Sequence, residues 1–127
     1  MTEEPPSPIL AAERGVVGAD HPMLAGHFPG HPIVPGAWLL AWVVATATRR
    51  LAAESDARAV VGVKRVKFLR PLAPGQAFEC ALKFGARPMD TEIGPQESMR
   101  FTVNSSATLI AEGSLLLQPR LDGTSAR

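Results

Sequence analysis

The sequence of 127 residues has little of several features that would identify a protein class at once. Its single cysteine, Cys80, excludes an internal disulfide and indicates either a reducing compartment or a protein that is indifferent to redox conditions. Thirteen Lys and Arg residues against twelve Asp and Glu give a formal net charge of +1, which provides no general attraction to nucleic acid or to an anionic membrane. The longest uncharged apolar stretch, residues 33–45, is shorter than the ~20 residues that span a bilayer. We therefore predict a cytoplasmic protein with no membrane span and no nucleic-acid partner.

The hydrophobic content of 46% and the chain length predict one domain with its own core. We expect a flexible, proline-rich arm at residues 1–8, the folded domain at 9–118 and a flexible polar tail at 119–127. The 12 prolines are about twice the usual ~5% frequency, yet they form no low-complexity repeat. Their positions are therefore more informative than their number.

The residue pattern predicts one helix and several strands. The 17 residues that follow Gly36, up to Ala53, contain no helix breaker, and two arginines lie near their end, where the helix dipole favours cations. A turn is predicted at residues 71–75 and a loop at 86–96. Strands are predicted around Ile9–Gly18, Ala59–Phe68, Gln76–Gly85, Glu97–Asn104 and Ala107–Leu117.

The predicted helix is apolar on nearly every side, and such a helix must be buried on nearly every side. We predict an α+β fold in which an antiparallel sheet of about five to six strands curls around this one helix. A single sheet of that size cannot enclose the helix alone. A homodimer is therefore expected, which would also cover edge strands.

Residues 25–36, AGHFPGHPIVPG, form the segment with the most chemical content. Three prolines and three glycines prescribe the path of a loop that leads directly into the predicted helix. His27 can act as a base near neutral pH, and apolar neighbours such as Phe28 favour its neutral form. Gly36 lies at the helix N-terminus, where free backbone N–H groups can donate to a developing oxyanion. Together they predict removal of a proton next to a thioester carbonyl.

Residues 26–36 resemble the signature of the 3-hydroxyacyl-acyl-carrier-protein dehydratases, the hot-dog-fold enzymes of fatty-acid synthesis. Residues 67–76, KFLRPLAPGQ, are similar to a strand and turn of that family, and residues 111–115, AEGSL, to its last strand. The resemblance covers roughly residues 20–118. It implies a hot-dog fold, a dimer with an acyl tunnel at the subunit interface, and a carbon–oxygen lyase acting on 3-hydroxyacyl or enoyl thioesters.

The resemblance also implies roles for single residues. His27 would be the general base or acid at the substrate Cα, the Gly36 amide would bind the thioester carbonyl, and the backbone carbonyl near Ile33 would orient the imidazole. No cofactor is expected, because phosphopantetheine of an acyl carrier protein, or coenzyme A, carries the substrate. Further substrate-binding residues would be Phe28, Pro35 and Trp38.

The sequence departs from the family at one important position. The family has Glu or Asp fourteen residues after the histidine, where it handles the leaving hydroxyl, and this chain has Ala41. A positioned acid or base contributes roughly 10²–10⁴ in rate. Three nearby residues are candidates to replace the missing carboxylate: Asp20, His21 and His31.

Two further groups of residues suggest binding sites. Lys64, Arg65, Lys67 and Arg70 form a basic cluster, which is either a solvated sheet face or a docking surface for an acidic carrier protein. His27 and His31 are four residues apart, but the intervening Phe-Pro-Gly prevents the helix on which that spacing would bind a metal. No metal site is therefore expected.

Three functions remain open from the sequence. The first is a dehydratase or hydratase of 3-hydroxyacyl thioesters in fatty-acid, lipid or polyketide synthesis. The second is a non-catalytic acyl-binding subunit that pairs with an active homologous dehydratase, because Ala41 replaces the acid. The third, a hot-dog thioesterase, has least support, since Thr46 and Thr48 are the only polar side chains on the helix before Arg49.

Overall fold

The computed structural model describes residues 11–18, 33–85, 89–91 and 94–119. The predicted arm at residues 1–8, the tail from residue 120 onward and most of the histidine-containing loop lie outside the described residues.

The described chain forms one helix and six strands. The single helix, α1, spans Gly36–Ala53 and matches the prediction at both ends. The strands are β1 (Ala11–Gly15), β2 (Arg58–Phe68), β3 (Phe78–Phe84), β4 (Met89–Thr91), β5 (Gly94–Ser105) and β6 (Thr108–Pro119).

The loop predicted at residues 86–96 is wrong in part, because it contains β4 and the start of β5. These two segments pair antiparallel, with Met89 opposite Gln96 and Thr91 opposite Gly94. Pro95 can lie in this short pair of strands, since proline is tolerated at strand positions whose backbone nitrogen need not donate a hydrogen bond to the neighbouring strand. Backbone pairing thus overrides the local preference of proline and glycine for a loop.

The strands form an antiparallel sheet in the order β1-β3-β5-β6-β2, with β4 paired to β5 beyond this path. The predicted architecture of one helix on an antiparallel sheet is confirmed. β2 is an edge strand, and its pairing with β6 shifts register between Val60 and Gly62 and again between Val63 and Arg65. These shifts are β-bulges at Val61 and Lys64, and they change which face the following side chains take.

Helix α1 packs one face against the sheet. Its buried residues recur at helical spacing and are Leu39, Val43, Thr46, Ala47 and Leu51. The four apolar ones join a core cluster with strand residues such as Cys80 and Leu115. The opposite helix face, with Ala37, Ala41 and Ala45, is exposed in the single chain. One sheet therefore covers one side of the helix, and burial on nearly every side would require another chain.

A tight turn connects β2 to β3 next to the helix N-terminus. The Gln76 amide donates to the Ala73 carbonyl oxygen at 3.1 Å, and Gly75 has a φ of +83°. This is the geometry of a type II turn with proline at its second position and glycine at its third. The Gly75 amide donates to the Val17 carbonyl at 2.6 Å, so the turn is fixed to the segment that follows β1.

Candidate functional site

A cavity of about 330 Å³ lies at the N-terminus of α1. It is bounded by the segment that enters the helix, by the end of β2 with the residues that follow it, and by β6. Among the described residues its wall contains one charged side chain, Arg70, and no carboxylate. The lining residues are Ile33, Val34, Gly36, Leu39, Phe68, Leu69, Arg70, Pro71, Leu72 and Ile110. The cavity is therefore suited to an apolar chain rather than to a charged molecule.

Backbone hydrogen bonds hold the cavity walls together. The Val34 amide donates to the Leu72 carbonyl oxygen at 2.8 Å, which joins the helix entry to the turn after β2. The amides of Leu69 and Arg70 both donate to the Ile110 carbonyl, at 2.8 and 3.2 Å. Val34 and Leu72 are buried, so the bond between them is shielded from water. The cavity is thus built on fixed backbone from three parts of the chain.

Gly36 places free backbone donors at this cavity. Pro35 is the N-cap residue of α1, with a ψ of 140°, and it provides no side-chain acceptor for the first turn. The amides of Gly36 and Ala37 have no hydrogen-bond acceptor within the described part of the chain. The unpaired first-turn N–H groups and the helix dipole favour an oxygen that carries negative charge.

The Phe68 ring lies directly against Gly36. A Cβ atom at position 36 would be 3.0–3.1 Å from three carbon atoms of that ring. Glycine therefore permits the aromatic ring to contact the helix N-terminus, and the ring itself is 49% exposed at the cavity edge. Sequence reasoning missed Phe68 and Leu69 as wall residues, although an exposed apolar pair at a strand end is a signal for a binding surface.

The structure brings together some of the predicted substrate-binding residues. Ile33 and Gly36 line the cavity, whereas Pro35 is the N-cap beside it. Trp38 is half-buried and packs against the core without lining the cavity. The other predicted site residues lie outside the described residues: Asp20, His21, His27, Phe28 and His31.

Ala41 does not face the cavity of its own chain. Helix positions five residues apart differ by about 140° around the axis, and Gly36 lines the cavity while Ala41 lies on the exposed face. A carboxylate at position 41 would point away from the Gly36 cavity of the same chain. Position 41 is therefore not part of the Gly36 cavity that the described residues form.

The structure places the residues of the predicted basic cluster at different sites. Arg70 lines the Gly36 cavity, whereas Arg65 and Lys67 line a second cavity, of about 200 Å³, on the sheet face opposite α1. Lys64 is the bulge residue of β2 and lines neither cavity. Lys83 and Arg100, which sequence reasoning missed, join Arg65 and Lys67. Only the strand order brings these four cations together.

Cys80 is a core residue, as its apolar surroundings in the sequence predict. Its side chain is fully buried, and burial, with a smaller contribution from the Glu13 carboxylate, raises the pKa of its thiol to about 12. The thiol therefore stays protonated and unreactive near neutral pH. The described residues contain no group of three or more His, Cys, Asp or Glu side chains that could bind a metal ion. No helix within the described ranges is long and apolar enough to cross a bilayer.

Known proteins with related sequences are dehydratases. The 3-hydroxyacyl-[acyl-carrier-protein] dehydratase FabZ of Thermomicrobium roseum is 34% identical over 117 residues, which cover 87% of this chain and 73% of that enzyme. The same enzyme from Granulibacter bethesdensis is 34% identical over 77 residues. This second match spans 53% of this chain and only 45% of the relative's length.

A solved structure shares the fold. A chain of the dehydratase heterocomplex ApeI:P from Xenorhabdus doucetiae superimposes with a TM-score of 0.64 at 20% identity, covering 90% of this chain and 98% of that one. The predicted hot-dog fold is thereby confirmed. The sequence model of the ApeI-like family, described as ApeI dehydratase, matches residues 10–114. Since this match covers most of the sequence, the chain belongs to the ApeI-like dehydratase family.

Proposed function

We propose that this chain dehydrates 3-hydroxyacyl thioesters, or hydrates the corresponding enoyl thioesters, at the Gly36 cavity. The observation that carries the proposal is the apolar cavity of about 330 Å³ whose wall includes the Gly36 amide, a backbone donor with no acceptor among the described residues. An acyl chain fits the apolar wall, and the Gly36 amide can donate to the thioester carbonyl oxygen. Membership of a dehydratase family supports the same reaction class.

The proposed reaction is an elimination that needs a base and an electrophilic donor. His27 accepts the proton from Cα, the electrons of that C–H bond form the Cα=Cβ double bond, and the Cβ–O bond breaks. The hydroxyl leaves with one proton as water. The Gly36 amide stabilises the enolate-like charge on the carbonyl oxygen, and the N-terminal end of the helix dipole adds to this.

The source of the proton for the leaving hydroxyl is the unusual part of this site. The described cavity wall has no carboxylate, and Ala41 lies on another face of the helix. The candidates are the sequence neighbours of His27, namely Asp20, His21 and His31, or an acid contributed by a second chain. The exposed alanine face of α1 supports a homodimer or a complex with a related dehydratase subunit, and further assembly remains compatible with either.

The carrier of the substrate is expected to be an acyl carrier protein or coenzyme A in the cytoplasm, with no cofactor in the reaction. Arg70 is the cation at the cavity wall that could contact the phosphate of either carrier. The other cations of the predicted docking cluster, Lys64, Arg65 and Lys67, do not line this cavity. Carrier docking near the cavity is therefore proposed for Arg70 alone.

The test follows the absorbance of the enoyl thioester with 3-hydroxyacyl and enoyl substrates on both carriers. Wild-type protein and the His27→Ala variant are compared, with Lys64→Ala as a control that lies outside both cavities. We expect His27→Ala to reduce the rate by roughly 10²-fold or more and Lys64→Ala to leave it unchanged. Equal rates for wild type and His27→Ala would overturn the assignment, provided that both show the same circular dichroism.

A second candidate function is a non-catalytic partner subunit that retains the acyl cavity. Ala41 favours it, because the family acid is missing and no described residue replaces it in the cavity wall. This function predicts saturable binding of acyl carriers without turnover by the isolated chain. Turnover should then appear when a related dehydratase subunit is added, whereas Ala41→Glu alone should not restore it. Thioester hydrolysis is the least supported alternative and is measured in the same assays as free thiol release.

A further inference from the structure

The second cavity lies on the outer face of the sheet, opposite α1 and the Gly36 cavity. It measures about 200 Å³ and is formed by β2, β3, β5 and β6. Four cationic side chains contribute to its wall, Arg65 and Lys67 from β2, Lys83 from β3 and Arg100 from β5. One carboxylate, Glu112, is also present. The proposed dehydration makes no use of this cavity.

The strand register aligns three of the cations in one row. Lys83 pairs with Arg100, Arg100 with Ser114, and Ser114 with Arg65. Like charges directly opposite each other on neighbouring strands destabilise a sheet. The pairing of Lys83 with Arg100 is therefore unfavourable by itself, and an anion bound between the two side chains would reduce the repulsion.

Apart from Phe101, the uncharged lining residues are small or carry a hydroxyl group: Ala81, Thr102, Gly113 and Ser114. Ser114 lies between Arg65 and Arg100 in the row described above. In the neighbouring row of paired residues, Thr102 lies opposite Glu112. Long cationic side chains around short residues produce a depression rather than a flat surface. Its volume exceeds that of several water molecules at ~30 Å³ each, which is enough for a phosphate-sized group.

Within the described ranges, the four cations have no ion-pair partner. Three other arginines, Arg49, Arg50 and Arg58, each have a carboxylate within 4.0 Å. No carboxylate of the described residues lies within that distance of a cationic nitrogen of Arg65, Lys67, Lys83 or Arg100. Glu112 thus lies in the same wall without forming a close ion pair. The cavity keeps an excess of positive charge that is free to bind a ligand.

We propose that this outer-face cavity binds a small molecule bearing a diphosphate group. Arginine forms paired hydrogen bonds with phosphate oxygens, lysine adds point charges, and the hydroxyls of Ser114 and Thr102 can donate to remaining oxygens. The cations belong to three strands, β2, β3 and β5, and two phosphates match this spread better than a single anion does. The site is separate from the Gly36 cavity, and the inference does not depend on the proposed dehydration.

The experiment titrates pyrophosphate into the whole protein by isothermal calorimetry at low ionic strength. We expect saturable binding of one pyrophosphate per chain, with roughly tenfold or greater weakening in Arg100→Ala and in Lys83→Ala. Lys64→Ala is the matched control, because it removes the same charge from an exposed bulge residue outside the cavity. Glu112→Gln should strengthen binding, since it removes the one carboxylate of the wall.

Three results would overturn the proposal. They are no saturable binding of pyrophosphate, equal affinity in wild type and Arg100→Ala, and equal weakening in Lys64→Ala and Arg100→Ala, which would indicate only general charge attraction. Binding of a glutamate-rich peptide but not of pyrophosphate would also overturn it and would assign the face to an acidic protein. An Arg100→Lys variant with unchanged thermal stability and partly retained affinity would support the site and separate charge from folding.

Discussion

Among single residues, two glycines of the family-like motifs occupy positions where neighbouring atoms leave little or no room for a Cβ atom. Gly36 admits the Phe68 ring to the helix N-terminus. Gly113 lies where β6 meets the bulged part of β2, and a Cβ atom there would collide with the Arg65 carbonyl oxygen and lie 2.8 Å from the Phe101 ring. The sequence resemblance marked both positions. The contacts that require glycine there come from residues far away in the chain.

Cys80 gives a prediction about alkaline stability. The unfolded thiol ionises near its ordinary pKa of 9.0, whereas burial raises the pKa of the folded thiol to about 12. The folded protein therefore binds one more proton than the unfolded chain in this window, and its free energy of unfolding falls as pH rises from 9 to 12. Ionisation of the thiol should add to the pH dependence of the free energy of unfolding a slope that approaches about 1.4 kcal/mol per pH unit. Urea unfolding of wild type and Cys80→Ala across this range measures it, and parallel pH dependences would contradict it.

At the scale of elements, ion pairs and turns set the connections of the sheet. Arg58 at the start of β2 pairs with Asp56 at 2.6 Å and with Glu97 of β5, and its guanidinium lies 4.3 Å from the centre of the Phe84 ring. These contacts join the connection between α1 and β2 to strands β2, β3 and β5. The hydrogen bond with Asp56 is the largest of several effects that raise the Arg58 pKa, so the guanidinium stays charged at any ordinary pH.

The β5–β6 turn is built on residues that do not favour its backbone. Ser106 and Ala107 have φ values of 50° and 66°, which suit the Asn-Gly sequences of tight hairpins. We predict that Ala107→Gly raises the free energy of unfolding by about 1 kcal/mol, because glycine adopts this conformation without strain. The neighbouring Thr108→Gly is the control and should lower it, since Thr108 belongs to β6. Chemical denaturation checks both, and destabilisation by Ala107→Gly would refute the turn geometry.

At the scale of the whole molecule, exposed apolar residues concentrate on the edge strand and beside it. Val61 is 54% exposed, Phe68 49% and Leu69 44%, and the alanine face of α1 is also exposed. Scattered apolar residues need no explanation, but a strand edge next to an uncovered helix face forms a continuous surface for association. This surface is the basis for expecting a second chain.

We predict that wild-type protein has twice the mass of one chain in solution and that Val61→Lys weakens the dimer roughly tenfold or more. The reason is that association would bury an unpaired ammonium group. Thr108→Lys is the matched control, since it adds the same charge at an exposed residue beside the β5–β6 turn. Sedimentation at several concentrations measures the dissociation constant. A monomeric wild type, or equal dissociation in both variants, would contradict the prediction.

Much of the fold could be predicted because its signals are local. A run of 17 residues without a breaker predicts α1, and alternating apolar residues bounded by Pro and Gly predict most strands. β4 was not predicted, because it forms through backbone hydrogen bonds with β5 rather than through the strand preference of its residues. His27 was predicted from its loop sequence and lies outside the described residues, whereas Phe68 and Ile110 enter the cavity only through strand pairing.

Local patterns were enough to predict the helix, the antiparallel class of the sheet and the family, because residue periodicity, turn residues and motif order are properties of neighbouring positions. Which side chains share a surface depends on the folded chain. The bulge at Lys64 turns Arg65 and Lys67 to the outer face, where strand register adds Lys83 and Arg100. The helix phase turns Ala41 away from Gly36. Hydrogen bonds between distant strands fix these relations, and no local pattern in the sequence records them.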